Sequence, residues 1–302
     1  MDLQLRPLSI DPAALNGLSQ RLISSHYDNN YTGAVKRLNA IRQQLSQLDW
    51  PSTPVYVING LKREELIAAN SAWLHELYFD VLGGDGALPD SGLAVALARD
   101  FGSVERWRME FSSLAKAMGG GSGWALLSWS SREARLITHW AADHTHLLAG
   151  ATPLLALDMY EHAYHMDFGA KAAAYVDAFM QNIRWEAVTR NFSSAIEADA
   201  RFWAADPADI RGDEQIIDVR RAANYAQSAD RVAGAPWRDP IALDTWSHEL
   251  NSLEPVLVYC AHGLDVSRTT VLALRARGFD TRYVAGGIEA CRAAGISLVA
   301  KE

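Results

Sequence analysis

From Asp11 to Leu48 apolar residues recur every three or four positions: Leu15, Leu18 and Leu22, then Val35, Leu38, Ile41 and Leu45. That spacing predicts helix. Pro51 and Pro54 end the segment, and a second helical stretch runs from Lys62 to about Leu82, stopping at Gly83-Gly84. Two consecutive helices of this kind form a helical hairpin. Shorter helical patterns follow over 93–99 and 104–118. The period then changes: Trp124 to Trp129 and Glu133 to Trp140 read as strands around a Ser130-Ser131 turn, and Leu154 to Met159 is a third short apolar run. Helix returns over 170–192. Helices flanking a small sheet predict an α+β unit. Beyond a polar, alanine-rich stretch (EADARFWAADPADIRGDE), in which Phe202 and Trp203 suggest partial docking, short strands and helices alternate: EQIIDVR, PVLVYC, SRTTVLALRARG, DTRYVAG and IEACRAAG. That order predicts a smaller α/β unit with a parallel sheet.

At 302 residues the chain exceeds one ordinary core, which supports this division into two domains, 1–197 and 211–302, joined by a linker at 198–210. Hydrophobic residues at 49% and charged residues at 21% fit a globular chain and exclude a disordered one. No apolar run approaches the roughly 20 residues that span a bilayer, so no membrane association is expected. The N-terminal MDLQLRPLSIDPAAL lacks an apolar signal region, which places the protein in the cytoplasm. A net charge of −8 argues against a nucleic-acid partner. Two cysteines, Cys260 and Cys291, are too few for a disulfide framework and are expected as thiols.

Candidate chemistry gathers at His26 and His75, one on each arm of the hairpin, and at Asp158 and His162 in LDMYEHAYHMDF. Three imidazoles and one carboxylate suit a redox-active first-row metal and leave a coordination position open. Taken singly, each is as readily a core histidine or an i, i+4 helix pair. Their flanks, LISSHYDNNYTGAVKRLN, AANSAWLHELYF, GGGSGWALLSW and ATPLLALDMYEHAYHMDF, resemble in order the signature segments of the iron/manganese superoxide dismutases, over roughly 1–197. The resemblance implies one iron or manganese ion per chain, held by these four residues and a solvent molecule, cycling between +3 and +2 with superoxide as substrate. It implies a homodimer formed through this domain. WAADH, at 140–144, resembles the segment that supplies a solvent-orienting histidine in one branch, making His144 the candidate and His146 the fallback. Trp124 matches the aromatic wall of the pocket, and Glu161 the glutamate that reaches the partner's metal-site histidine. Tyr160 stands where the family usually has tryptophan, Ala34 where it has a gateway tyrosine, Asn30 for a histidine and His165 for a tyrosine.

Cys260 ends a strand and precedes a Gly-containing loop that leads into a helix, where backbone N–H groups and the helix dipole favour a thiolate or persulfide. IIDVRR, VAGAPWRDP, the Cys260 loop and VAGGIEAC resemble the rhodanese family over about 208–302. By that resemblance Cys260 carries sulfur, and Ala261, His262, Gly263, Leu264, Asp265 and Val266 form its cradle. Within it Asp265 opposes a thiolate, with His262 and Arg268 as balancing cations. Asp218 and Arg220 are expected to lock the fold, and Cys291 to be a buried apolar residue. DVRR, GAPWRDP and VYCAHGLDVS look closest to rhodanese domains associated with chromate resistance, which suggests oxidative-stress defence. Two functions are weighed: a superoxide dismutase with an appended cysteine domain, or a metal-binding, dimerising scaffold whose function is sulfur transfer or redox sensing at Cys260.

Overall fold

The computed structural model describes residues 2–210 and 214–301. The first arm of the hairpin is a composite rod. Ser19 caps α1 (Gln20–Ser25), its hydroxyl accepting from the Leu22 N–H, and the helix runs through a π-helical turn at His26–Tyr31 into α2 (Thr32–Ser46). A π turn widens the backbone ring and rotates the faces before and after it. Leu15 and Leu18, which continue the helical period, lie before α1 in non-helical chain and are buried all the same. The second arm, α3 (Val55–Asp80), starts directly after Pro54 rather than at Lys62. Its opening residues Val55 and Tyr56 are 82% and 76% exposed, so no burial period marks them. Leu38, Ile41 and Leu45 of α2 pack on Ala68 and Ala69 of α3.

Next come α4 (Gly92–Phe101), capped by Ser91, and α5 (Val104–Ala117), capped by Ser103. The sheet consists of β1 (Trp124–Ser130), β2 (Arg135–Ala141) and β3 (Ala151–Asp158), antiparallel in the order β2-β1-β3. All of β1 is buried. Pro153 sits in β3 where the register shifts, which an edge strand tolerates. A short α6 (His165–Phe168) leads to α7 (Ala172–Gln181) and α8 (Trp185–Ala200). The single helix expected over 170–192 is thus two, broken where Ile183 bridges Leu82. Trp107, Trp129 and Trp185 are fully buried core residues, Trp107 edge-on to Trp185 with centroids 5.3 Å apart.

The second unit begins without a free linker. Residues 198–210 contain the end of α8, two short 3-10 turns and β4 (Ala204–Ala205). Trp203 docks under the guanidinium of Arg275, 3.4 Å from its ring centroid, while Phe202 stays exposed. There follow β5 (Gln215–Asp218), α9 (Ala222–Gln227), β6 (Asp230–Val232), α10 (Leu243–Trp246), β7 (Val256–Tyr259), α11 (Asp265–Ala276), β8 (Thr281–Val284), α12 (Gly287–Ala293) and β9 (Leu298–Ala300). The parallel sheet runs β4-β8-β7-β5, beside a separate antiparallel β6-β9 ladder. Strand β4, in the stretch expected to be linker, is an edge of that sheet. The two units share apolar packing: Val95 of α4 and Ala200 of α8 cluster with Val266, Val271 and Leu274 of α11. Among the described residues no helix is long and apolar enough to cross a membrane.

Candidate metal centre and a second thiol site

Three elements converge on one point. The π turn supplies His26, α3 supplies His75, and the end of β3 with the turn after it supplies Asp158 and His162. One ligating atom from each lies within 4.8 Å of all the others. Asp158 Oδ2 is 3.1 Å from His26 Nε2, 3.1 Å from His162 Nε2 and 3.4 Å from His75 Nε2. Its other oxygen accepts from the Tyr160 N–H at 2.8 Å, which fixes the carboxylate plane. His26, His75 and Asp158 are buried, and the His162 side chain is 28% exposed.

The chemistry follows from which nitrogens carry protons. His75 Nδ1 lies 2.6 Å from the Ser71 carbonyl, which only accepts, so Nδ1 donates and Nε2 presents its lone pair to the cluster. That Nε2 is buried without a hydrogen-bond partner among the described residues. An orphaned acceptor facing a carboxylate oxygen is what a cation between them would satisfy. Burial, then the neighbouring His26, pushes His75 down to about 3. Burial likewise lowers His26. Burial alone would raise Asp158, but the contacts with His162 and His26 overcome it and hold the carboxyl well below the usual range.

Around the cluster stands a ring of aromatics. Register places Trp124 opposite Asp158 and Ala141 on either side, and its indole N–H donates to His144 Nδ1 at 3.0 Å. Neutral His144 therefore carries its proton on Nε2. Its ring stacks on Tyr160 at 5.0 Å, and Tyr160 stacks in turn on His162 at 5.4 Å. His146 turns away, paired with Asp143 and stacked on Trp140. Glu161 is exposed beside His162. Tyr31 does not face the centre: its hydroxyl donates to Glu76 at 3.0 Å and accepts from the Arg6 N–H at 2.9 Å.

The second site lies at the end of β7. Cys260 is buried, its Sγ 3.2 Å from Ser267 Oγ on α11. The expected cradle is a loop, Ala261, His262, Gly263 and Leu264, followed by Asp265 and Val266 in the first turn of α11. Gly263 has φ 68°, and a Cβ there would meet Val284 O and Gly286 N at 2.6 Å, so only glycine lets the loop pack. Cys260 opens onto a cavity of about 200 Å³ lined also by Arg220, Arg221, Asn224, His262 and Gly92. Within the cradle His262 and Asp265 line the same cavity as Cys260, and the Arg268 charge acts on Asp265, but both Asp265 and Arg268 also find partners in the first unit. Asp265 accepts from the Ser193 hydroxyl on α8 at 2.8 Å, and burial raises its carboxyl. Arg268 lies over Tyr283 and 3.6 Å from Glu197. Both charges are drawn toward the first unit, because α8 packs against α11. Asp218 binds Arg220 through both carboxylate oxygens and accepts from Tyr259 OH at 3.0 Å, a buried lock between β5 and β7. Cys291 is fully buried, and burial raises its thiol.

The family model for the iron/manganese superoxide dismutase C-terminal domain matches residues 89–191. A superoxide dismutase [Fe] of Cupriavidus metallidurans is 62% identical over 193 residues, covering 64% of this chain and 98% of the relative. The chain belongs to the iron/manganese superoxide dismutase family. A superoxide dismutase [Fe] of Aquifex pyrophilus is 32% identical, covering 63% of this chain and 91% of the relative. A superoxide dismutase [Mn] 1 of Halobacterium salinarum is 34% identical, covering 64% and 96%. The rhodanese-like domain model matches 203–294, beginning inside the stretch expected to be linker.

Within the dismutase unit, sequence reasoning missed Ser71 and Asn70. Ser71 sits one helical turn before His75, an i−4 spacing that signals a backbone partner for a histidine on the same face. The Asn70 amide donates to the His144 carbonyl and so anchors that loop to α3, a contact with no local signal. In the rhodanese-like unit, Ser267 was missed, as was the approach of Asp90 to Arg221, 2.6 Å between charged atoms.

Proposed function

We propose that this chain is a superoxide dismutase, converting superoxide to dioxygen and hydrogen peroxide at a mononuclear iron centre held by His26, His75, Asp158 and His162, with a rhodanese-like cysteine domain appended. The observation that carries the reading is the orphaned His75 Nε2 turned toward Asp158 Oδ2, with two further imidazole Nε2 atoms on the same oxygen. Three neutral nitrogen donors and one anionic oxygen suit a first-row ion that shuttles between +3 and +2. Iron is favoured over manganese because the 62% identical relative is a superoxide dismutase [Fe].

When bound, the metal supplies the one-electron exchange. The chain does the rest. Ser71 holds the His75 ring in its ligating tautomer, and Asp158 spreads one negative charge over the site. Trp124 fixes His144 with its proton on Nε2, which would be free to donate to a solvent molecule held at the centre. Tyr78 and Phe79, whose rings lie 5.0 Å and 5.2 Å from His26, keep the floor dry. The partly exposed edge of His162 is the open side, and exposed Glu161 beside it is the element we assign to a homodimer contact reaching the partner's copy of this site. We place the boundary between units near 201–203, where α8 ends and β4 approaches. Two buried free thiols fit a reducing compartment, the cytoplasm.

For the second unit, Cys260 is the sulfur carrier. Its thiolate attacks the outer sulfur of a sulfane donor; the new Sγ–S bond forms as the donor's S–S bond breaks, and the leaving group departs with the electron pair. A setting in oxidative stress, chromate exposure included, is the physiological proposal.

Metal analysis and a dismutation assay on one preparation test the leading reading. We expect close to one iron per chain and activity lost in His26→Ala. Metal without dismutation, together with thiosulfate:cyanide sulfur transfer lost in Cys260→Ser, would favour the scaffold reading instead.

A further inference from the structure

The cavity at Cys260 is not built by the rhodanese-like unit alone. Gly92, at the start of α4 in the dismutase unit, forms part of its wall. The approach is close because position 92 has no side chain: a Cβ there would lie 2.4 Å from the Cβ of Asp265. Two residues earlier, Asp90 sets its carboxylate 2.6 Å from Arg221 Nη1.

Charge at the cavity is unevenly committed. Arg220 is bound by Asp218 through hydrogen bonds to both carboxylate oxygens. Arg221 is different: its Nη1 is buried yet makes no aligned hydrogen bond among the described residues, although Asp90 stands next to it. Its charge is screened by Asp90 but its N–H groups are not used up. An incoming anion would find in Arg221 a donor, and in Asp90 a competitor for it.

We propose that Asp90 of the dismutase unit is a specificity-determining residue of the Cys260 site, screening Arg221 so that dianionic sulfur donors of the thiosulfate type are disfavoured against donors of low charge, such as a small persulfide. The favoured step balances as Cys–S⁻ plus R–S–SH giving Cys–S–S⁻ plus R–SH. The disfavoured one is Cys–S⁻ plus thiosulfate giving Cys–S–S⁻ plus sulfite. The donor's identity rests on reading Cys260 as a sulfur carrier; the charge gate itself is a property of the cavity.

The test uses the full chain and two alkylating probes of similar size, neutral iodoacetamide and anionic iodoacetate, with modification of Cys260 followed by peptide mass spectrometry. In Asp90→Asn the iodoacetate:iodoacetamide rate ratio is expected to rise roughly three- to tenfold, and the gain to shrink at high salt. Adding Arg221→Gln should cancel it, and the KM for thiosulfate should fall in Asp90→Asn in parallel. A ratio within about twofold of the parent overturns the proposal, as does an equal change in both probe rates, which would make Asp90 a structural clamp. A ratio that moves while no variant transfers sulfur to cyanide from either thiosulfate or a small alkyl persulfide supports the gate and sinks the sulfur-carrier reading.

Discussion

Acid should unfold the metal-free protein through His75. The imidazole is held down to about 3 by burial against 6.5 in the unfolded chain. A group whose folded value is depressed contributes stability that is fully present above the unfolded value and is lost as the pH falls toward the folded one. The window is therefore from about 6.5 down to about 3. Between about pH 8 and pH 5 the unfolded chain takes up a proton that the folded chain refuses, which by linkage costs about 2 kcal/mol. His26, also lowered by burial, acts in the same direction. Asp158 is separable, because its unfolded value is 3.8 and its loss begins only at lower pH. The assay is urea unfolding of chelator-stripped protein at both pH values, with the parent and His75→Gln compared. Glutamine does not titrate, so the variant should lose about 2 kcal/mol less on acidification than the parent. With metal bound, the same protons compete for Nε2 and acidification should release iron instead. An equal loss of stability in parent and variant would refute the argument.

Other outcomes follow from contacts already described. Trp124→Phe removes the donor that fixes His144 and should lower dismutation roughly ten- to hundredfold while iron content by atomic absorption stays near the parent's. Tyr31→Phe leaves Glu76 and the Arg6 N–H short of a partner; thermal melts should show a loss of about 1 kcal/mol, with dismutation within about twofold because the phenol faces away from the centre. Gly92→Val forces α4 off Asp265, at about 1–3 kcal/mol, and should speed limited proteolysis between 198 and 210. Cys291→Ser buries a hydroxyl where a thiol packs, and a lowered midpoint for the rhodanese-like unit, with sulfur transfer retained, is the expected result.

What could be read along the chain was whatever repeats locally or is marked by unusual residue types. The hairpin, the three strands and the α/β order show in periodicity, and the four metal-site residues show through the resemblance of their flanks to the dismutase signature segments, since singly each reads as readily as a core histidine or a helix pair. Boundaries failed where burial gave no period: Val55 and Tyr56 open α3 in solvent, and β4 is two alanines whose role as an edge strand exists only once β8 lies beside them.

The one-dimensional pattern thus determined most of the elements and the two-unit order, since backbone periodicity is a property of neighbours in the chain, while the ligand set was read from the family resemblance of its flanks. Tertiary structure set His144, already the first candidate, into the aromatic ring, and it alone decided that Tyr31 turns to Glu76 and that Asp265 and Arg268 find partners in the dismutase unit. Each of those choices is made by a partner distant in sequence. A side chain's direction is set by the surface packed against it, and the chain's order does not contain that surface.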